Sequence, residues 1–156
     1  MKVVICAVGR LRACPESEIA DSYLRKFNRA ASPMGVGPAS IREVEARNGG
    51  GRKGEAELLS NKIPKGSVLC ALDERGKNLS SPEFAELISK WRYDGRSTAA
   101  FLVGGADGLH SSLIDGSNFS ISFGRMVFPH ALARAMLAEQ LYRAATILNG
   151  SPYHRY

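Results

Sequence analysis

The residues with the densest chemistry lie at the end of the chain, where Tyr153, His154, Arg155 and Tyr156 follow one another in "SPYHRY". An imidazole titrates near neutral pH and can accept or hold a proton. A guanidinium grips an anion through a fork of donors, and a tyrosine ring stacks on another flat ring. Chain ends usually fray in solvent, so this composition is open to two readings, a disordered tail or part of a site in which His154 is a candidate proton acceptor. His130 is a second candidate, at the junction of an apolar connector and the last helical segment. Catalysis and a structural tie between loop and helix are both open to it. His110, after "GGADGL", reads as a solvated or helix-capping residue. Glu139 and Arg143 stand four apart on one helical stretch. They form either an ordinary helix ion pair or a pocket wall at which Arg143 meets phosphate.

The chain has 156 residues with a net charge of +6, which favours a polyanionic partner, RNA or DNA. Arg10, Arg12, Arg47, Arg52 and Lys53 lie on or beside flexible stretches and are the candidate phosphate contacts, although each alone also reads as a solvated charge. Three cysteines, Cys6, Cys14 and Cys70, are too few and too widely spaced for a disulfide framework, and no CxxC pair offers a zinc site. Cys6 and Cys70 sit in apolar runs and read as small buried side chains in a reducing cytoplasm. No metal site is expected. No apolar run approaches the roughly 20 residues needed to cross a bilayer. The start "MKVVICAVGR" reads as a first strand, with no secretory signal pattern.

What must position these residues is an alternation of strands and helices. Strands are expected at 2–8, 40–46, 67–73, 98–103 and 118–123, and helices at 16–29, 52–63, 82–93, 111–115 and 130–148. Ser81 is expected to cap the third helix, with Pro82 in its first turn. The pattern predicts one α/β domain over 1–156, a mostly parallel sheet with helices on both faces. "VVICAV" and "AAFLV" are apolar almost throughout, as a doubly covered sheet requires. In the last helix only Arg134, Glu139, Gln140, Arg143, Thr146 and Asn149 are polar between 131 and 149. A helix apolar around most of its girth must be covered on more than one side, as a central core helix or against a partner subunit.

Ligands of such sheets bind outside the carboxyl ends of the strands. Three connectors leave those ends: "ERGK" (74–77), "GGADG" (104–108) and "GRMVFPH" (124–130). If their strands are neighbours, the three converge on one pocket. "GGADG" is also open to the plain reading of a tight strand-to-helix turn. No GxGxxG follows the first strand and no GxxxxGK[ST] occurs anywhere, so a dinucleotide-binding oxidoreductase and a P-loop are disfavoured. "GRMVFPH" enters a helix without a side-chain cap, leaving backbone N–H groups for another partner. Apolar side chains beside exposed peptide groups suit an adenine ring.

"LVGGADGL" (102–109), "SFGRMVFPHALARAMLAEQLYRA" (122–144) and "SPYHRY" (151–156), with "ICAVGRLR" and "LDERGK", resemble the ribosomal RNA large subunit methyltransferase H family of the SPOUT class. The resemblance covers essentially the whole chain. It implies a C-terminal deep trefoil knot over about 98–156 and a homodimer. The implied activity, in the cytoplasm, is S-adenosylmethionine-dependent methylation of N3 of a pseudouridine in helix 69 of 23S rRNA, on the assembled ribosome. Cofactor contacts implied by the family fall on Leu72, Gly105, Gly124, Arg125, Met126, Val127, Phe128 and Pro129. The residues after Gly150 would then lie near the cofactor pocket of the dimer partner. Tyr153, His154, Arg155 and His130 are the expected catalytic group, and Arg10, Arg12, Arg52, Lys53 and Arg143 the expected RNA contacts. A non-catalytic RNA-binding or ribosome-assembly module on the same fold is the alternative.

Overall fold

The computed structural model describes residues 1–45 and 50–155. The strands are β1 (Lys2–Val8), β2 (Ala39–Val44), β3 (Val68–Asn78), β4 (Thr98–Val103) and β5 (Phe119–Ser122). The helices are α1 (Pro15–Ala31), α2 (Gly51–Ser60), α3 (Ser81–Tyr93), α4 (Ser111–Asp115) and α5 (His130–Leu148). All pairings are parallel, in the order β2-β1-β4-β3-β5. The expected strands and helices are all present, with ends shifted by a few residues. The end of the strand expected to reach residue 46 lies outside the described residues.

Successive strand residues point to opposite faces, and the core divides accordingly. Val3, Ile5, Ala7, Phe101 and Val103 pack with residues of α1, α3 and α5 on one face. Val4, Cys6, Val8 and Leu102 pack with Ala56 and Leu59 of α2 and Leu113 of α4 on the other. Every residue of the central strand β4 is buried, which is why its sequence is almost wholly apolar. Burial pushes the Cys6 thiol up to about 11 and that of Cys70 to about 12, so both are inert apolar groups at neutral pH.

Two local expectations are corrected. The connector "ERGK" is not a loop beyond the third strand but part of β3. Pairing with β5 breaks after Leu72↔Ile121 and resumes at Lys77↔Ile121, so residues 73–76 bulge out of the ladder. Gly76 permits this crossing, because a Cβ there would lie 2.5 Å from the Ile121 carbonyl carbon. The cap of α3 is Ser80, one residue before the expected Ser81. The Glu83 N–H donates to Ser80 Oγ, and the Ser80 N–H donates back to the Glu83 carboxylate at 2.7 Å. Ser81 instead donates its hydroxyl to Gln140 Oε1 at 2.8 Å, joining α3 to α5.

The last helix is a central core helix. It packs between α1 and α3, and Ala135, Leu137, Ala138, Leu141, Ala144 and Ala145 are buried. Coverage on these two sides and by the sheet accounts for its nearly continuous apolar girth. Among the described residues, no helix is long and apolar enough to cross a membrane.

Candidate active site

Strands β4, β3 and β5 are neighbours, so the segments at their carboxyl ends converge. They enclose a cleft of about 430 Å³. One wall is the β3 bulge with Leu72, Asp73, Glu74 and Arg75; the floor is the 103–109 turn; the third side is 121–124 and 126–128 with His130 and Ala133. Arg52, from the first turn of α2, completes the rim. Of the expected cofactor residues, Leu72, Gly105, Gly124, Met126, Val127 and Phe128 line the cleft, whereas Arg125 and Pro129 do not.

Each wall is held by local chemistry. The glycine turn folds onto itself, with Gly105 bridged to Gly108. A Cβ on Gly104 would lie 2.3 Å from the Gly108 carbonyl carbon and 2.5 Å from the Leu109 nitrogen. The turn reading and the pocket reading of "GGADG" are therefore both right, since the tightness of the turn shapes the floor. Ser122 Oγ donates to the Gly124 carbonyl at 2.7 Å and accepts from the Gly124 N–H at 3.1 Å, pinning the exit from β5. Helix α5 begins at His130 after Pro129 at the N-cap, with no side-chain cap, as the sequence implied, so its first N–H groups lack a side-chain acceptor. Gly104→Ala is expected to force the turn open, with overpacking of about 1–3 kcal/mol. A thermal midpoint lowered by several degrees checks this; an unchanged midpoint would refute it.

A family model described as "Predicted SPOUT methyltransferase" matches residues 1–154. The chain belongs to the SPOUT methyltransferase family. Proteins named ribosomal RNA large subunit methyltransferase H are similar over almost the full length. That of Dinoroseobacter shibae is 58% identical over 155 residues, and that of Ruegeria pomeroyi 57%, each covering 99% of both chains. The resemblance carried by the motifs is thereby borne out. Solved structures agree in fold. A probable methylase family protein of Haemophilus influenzae covers 99% of this chain and 70% of its own, with TM-score 0.51 and 11% identity. A probable methyltransferase of Bordetella pertussis covers 92% of this chain and 94% of its own, with TM-score 0.50 and 14% identity.

In this SPOUT chain the remaining expected residues separate into groups. Arg10 and Arg12 are exposed on the loop after β1. Arg52 and Lys53 are exposed in the first turn of α2, and Arg52 reaches the cleft itself. Arg47 and Tyr156 lie outside the described residues. His110 caps α4, its Nδ1 accepting from the Ser112 N–H at 3.2 Å.

The tail is ordered onto its own chain. Tyr153 donates its hydroxyl to Glu139 Oε1 at 3.0 Å and packs its ring 4.7 Å from that of Tyr142. Arg143 grips the same Glu139 oxygen through Nε at 3.0 Å and Nη2 at 2.6 Å, stacks over the Tyr153 ring at 4.7 Å, and donates Nη1 to His154 Nδ1 at 3.3 Å. The i, i+4 ion pair is thus real, and it is also the anchor of the tail. The network raises the Tyr153 phenol above its ordinary value, by burial first and then by its bonds to Tyr23 and Glu139. Glu139 lines a second cleft that shares residues 121–124 with the first. Tyr153, His154 and Arg155 do not line the first cleft of their own chain.

One site residue was missed by the sequence reading. Arg134 is wholly buried. Its Nη1 donates to Glu43 Oε1 of β2 at 2.8 Å, and its Nη2 donates to the carbonyls of Val8 and of Gly9, the latter at 2.7 Å. Nη2 also lies 3.2 Å from His130 Nδ1. Glu43 Oε1 in turn accepts the Leu11 N–H at 3.0 Å. One cation therefore ties α5, β2 and the loop carrying Arg10 and Arg12 to one another beside the cleft. The signal was present: Arg134 falls on the same helical stripe as Leu137, Ala138 and Leu141.

Proposed function

We propose that this protein binds S-adenosylmethionine in the cleft and methylates N3 of a pseudouridine in helix 69 of 23S rRNA, in the cytoplasm and on the assembled ribosome. The observation that carries this reading is the convergence of Leu72, Gly105, Gly124 and residues 126–128 on one cleft in a chain 58% identical to a protein named ribosomal RNA large subunit methyltransferase H.

The lining fits the cofactor. Leu72, Leu109, Ile114, Ile121 and Phe128 give an apolar slot for an adenine ring, and the glycine turn brings backbone polar groups to its edge. When bound, the cofactor supplies a methyl on a sulfonium, already activated toward a nucleophile. The chain's own task is to hold the target imide nitrogen in line with that methyl, exclude water and manage one proton. Alignment of this kind supplies on the order of 7–11 kcal/mol in the best cases. Arg52 at the rim and the exposed Arg10, Arg12 and Lys53 offer cations for the phosphates that flank the target nucleotide.

A homodimer completes the reading. Met126 and Val127 at the cleft and Leu132 on α5 are exposed apolar side chains, 72%, 79% and 38% exposed respectively, for a partner surface to cover. The tail, absent from its own cleft, acts at that of the partner, where Tyr153, His154 and Arg155 meet the target base and its backbone. The 1–156 chain is taken as one domain, with its C-terminal part threaded as a trefoil knot.

The decisive experiment is mass spectrometry of 23S rRNA fragments from a strain lacking the gene. Loss of one methyl from the helix 69 fragment is expected, and an unchanged methyl inventory refutes the substrate. Calorimetry with S-adenosylmethionine tests the enzyme separately: no binding at millimolar concentration would favour a non-catalytic RNA-binding module.

A further inference from the structure

We infer that Arg134 is a positioning residue that fixes the proton of His130 on Nε2, so that the imidazole offers the cleft a hydrogen-bond donor instead of a base. The inference deepens the methyl-transfer reading and depends on it only for what the donor meets.

His130 lines the cleft, and its Nδ1 faces Arg134 Nη2 at 3.2 Å. A guanidinium has donors and no acceptor. A proton on Nδ1 would therefore point at a cationic N–H group. Nη2 carries two protons and has three acceptors about it, the Val8 and Gly9 carbonyls and Nδ1, so the imidazole shares a bifurcated donor. Nδ1 is consequently the lone-pair nitrogen and Nε2 bears the hydrogen. The guanidinium cannot swing away, because it is buried and held by Glu43 Oε1 and two backbone carbonyls. Gly9 also lies close to the ring, since a Cβ there would come within 3.3 Å of its Cε1.

Charge works in the same direction. Among the described residues, Arg134 on its own helix lies against the ring, with Glu43 from β2 and the Cys14 thiol behind it, while Arg52, Asp73, Glu74, Arg75 and Asp107 line the same cleft. Burial first, and Arg134 second, lower the His130 pKa below the ordinary value, so the ring stays neutral at physiological pH. A neutral ring with its lone pair already engaged keeps its own proton through the reaction. What it supplies is an N–H aimed at developing negative charge. The imide of a uracil-type ring spreads the charge of its deprotonated nitrogen onto two carbonyl oxygens, and a fixed donor beside one of them stabilises that charge.

Long-range proton–nitrogen correlation spectra of histidine-labelled wild-type protein test the tautomer without substrate or cofactor. The expected result is His130 neutral at pH 7 with its proton on Nε2. A proton on Nδ1, or a cationic ring at that pH, overturns the inference. Two substitutions test the use of the donor. His130→Gln places an amide N–H where Nε2 stood and is expected to keep methyl transfer within about tenfold, whereas His130→Ala loses at least about a hundredfold. Equal losses in the two variants would refute the donor role. Absence of transfer by the wild-type protein on any ribosomal substrate would instead count against the proposed reaction and leave the tautomer result standing.

Discussion

Replacing Arg134 with methionine is expected to lower unfolding stability by about 3–5 kcal/mol, the loss that follows when one member of a buried ion pair is removed. The apolar volume would survive, so the loss comes from what is left behind. The carbonyls of Val8 and Gly9 would lose a buried donor, and Glu43 would keep only the Leu11 N–H. Glu43 is still 28% exposed, so water reaches its carboxylate and the figure belongs at the lower end of that range. Arg134→Lys keeps the charge but not the fork, and recovers part of the loss. Urea unfolding of the three proteins measures the effect, and native-state hydrogen exchange locates it at the Leu11 amide. A loss below about 1 kcal/mol would mean that solvent already satisfies these groups and that the clamp stabilises little.

This clamp also marks where sequence reading stops. Sheet class and pocket position were legible because each rests on local pattern. Strands buried on both faces must be apolar, and the connectors leaving their carboxyl ends must face one side of the sheet. Arg134 was a different case. A lone arginine in an apolar helix is usually a snorkelling surface residue, and only the β1 loop folding over it makes it a buried one. The β3 bulge was hidden for a similar reason. "DERGK" has the polarity of a loop, and its strand character depends on Ile121, more than forty residues away, closing over Gly76. Ser80 displaced Ser81 because a serine cap is reinforced by a carboxylate three residues on, and Glu83 stands at that distance from Ser80. The tail's chemistry was visible in its composition, but its anchor on Glu139, Arg143 and Tyr142 has no sequence period to announce it.

Removing residues 153–156 is expected to abolish methyl transfer, by roughly 10²–10⁴-fold, the range over which a positioned proton-handling group acts. It should leave cofactor binding unchanged, because the tail does not line its own chain's cleft and its proposed contacts at the partner's are to the target nucleotide, not the cofactor. Folding should survive with a measurable loss of about 1–3 kcal/mol, since Tyr153 packs on Tyr142, lies under Arg143 and bonds Glu139. For the homodimer proposed above, a mixed dimer decides whether the tail acts within its own subunit or across to the other. One protomer lacks the tail but keeps its cleft; the other keeps the tail but carries Leu72→Trp, which fills the cleft, with lost cofactor binding verified by calorimetry. Each homodimer should be inactive. If the tail serves the partner, the mixed dimer holds one complete site and recovers transfer. If it serves its own cleft, no complete site exists and the mixture stays silent. The ion pair on α5 holds Tyr153 through Glu139 and His154 through Arg143. Glu139→Gln should therefore weaken transfer by loosening the tail, while calorimetry on the same sample shows the cofactor still bound.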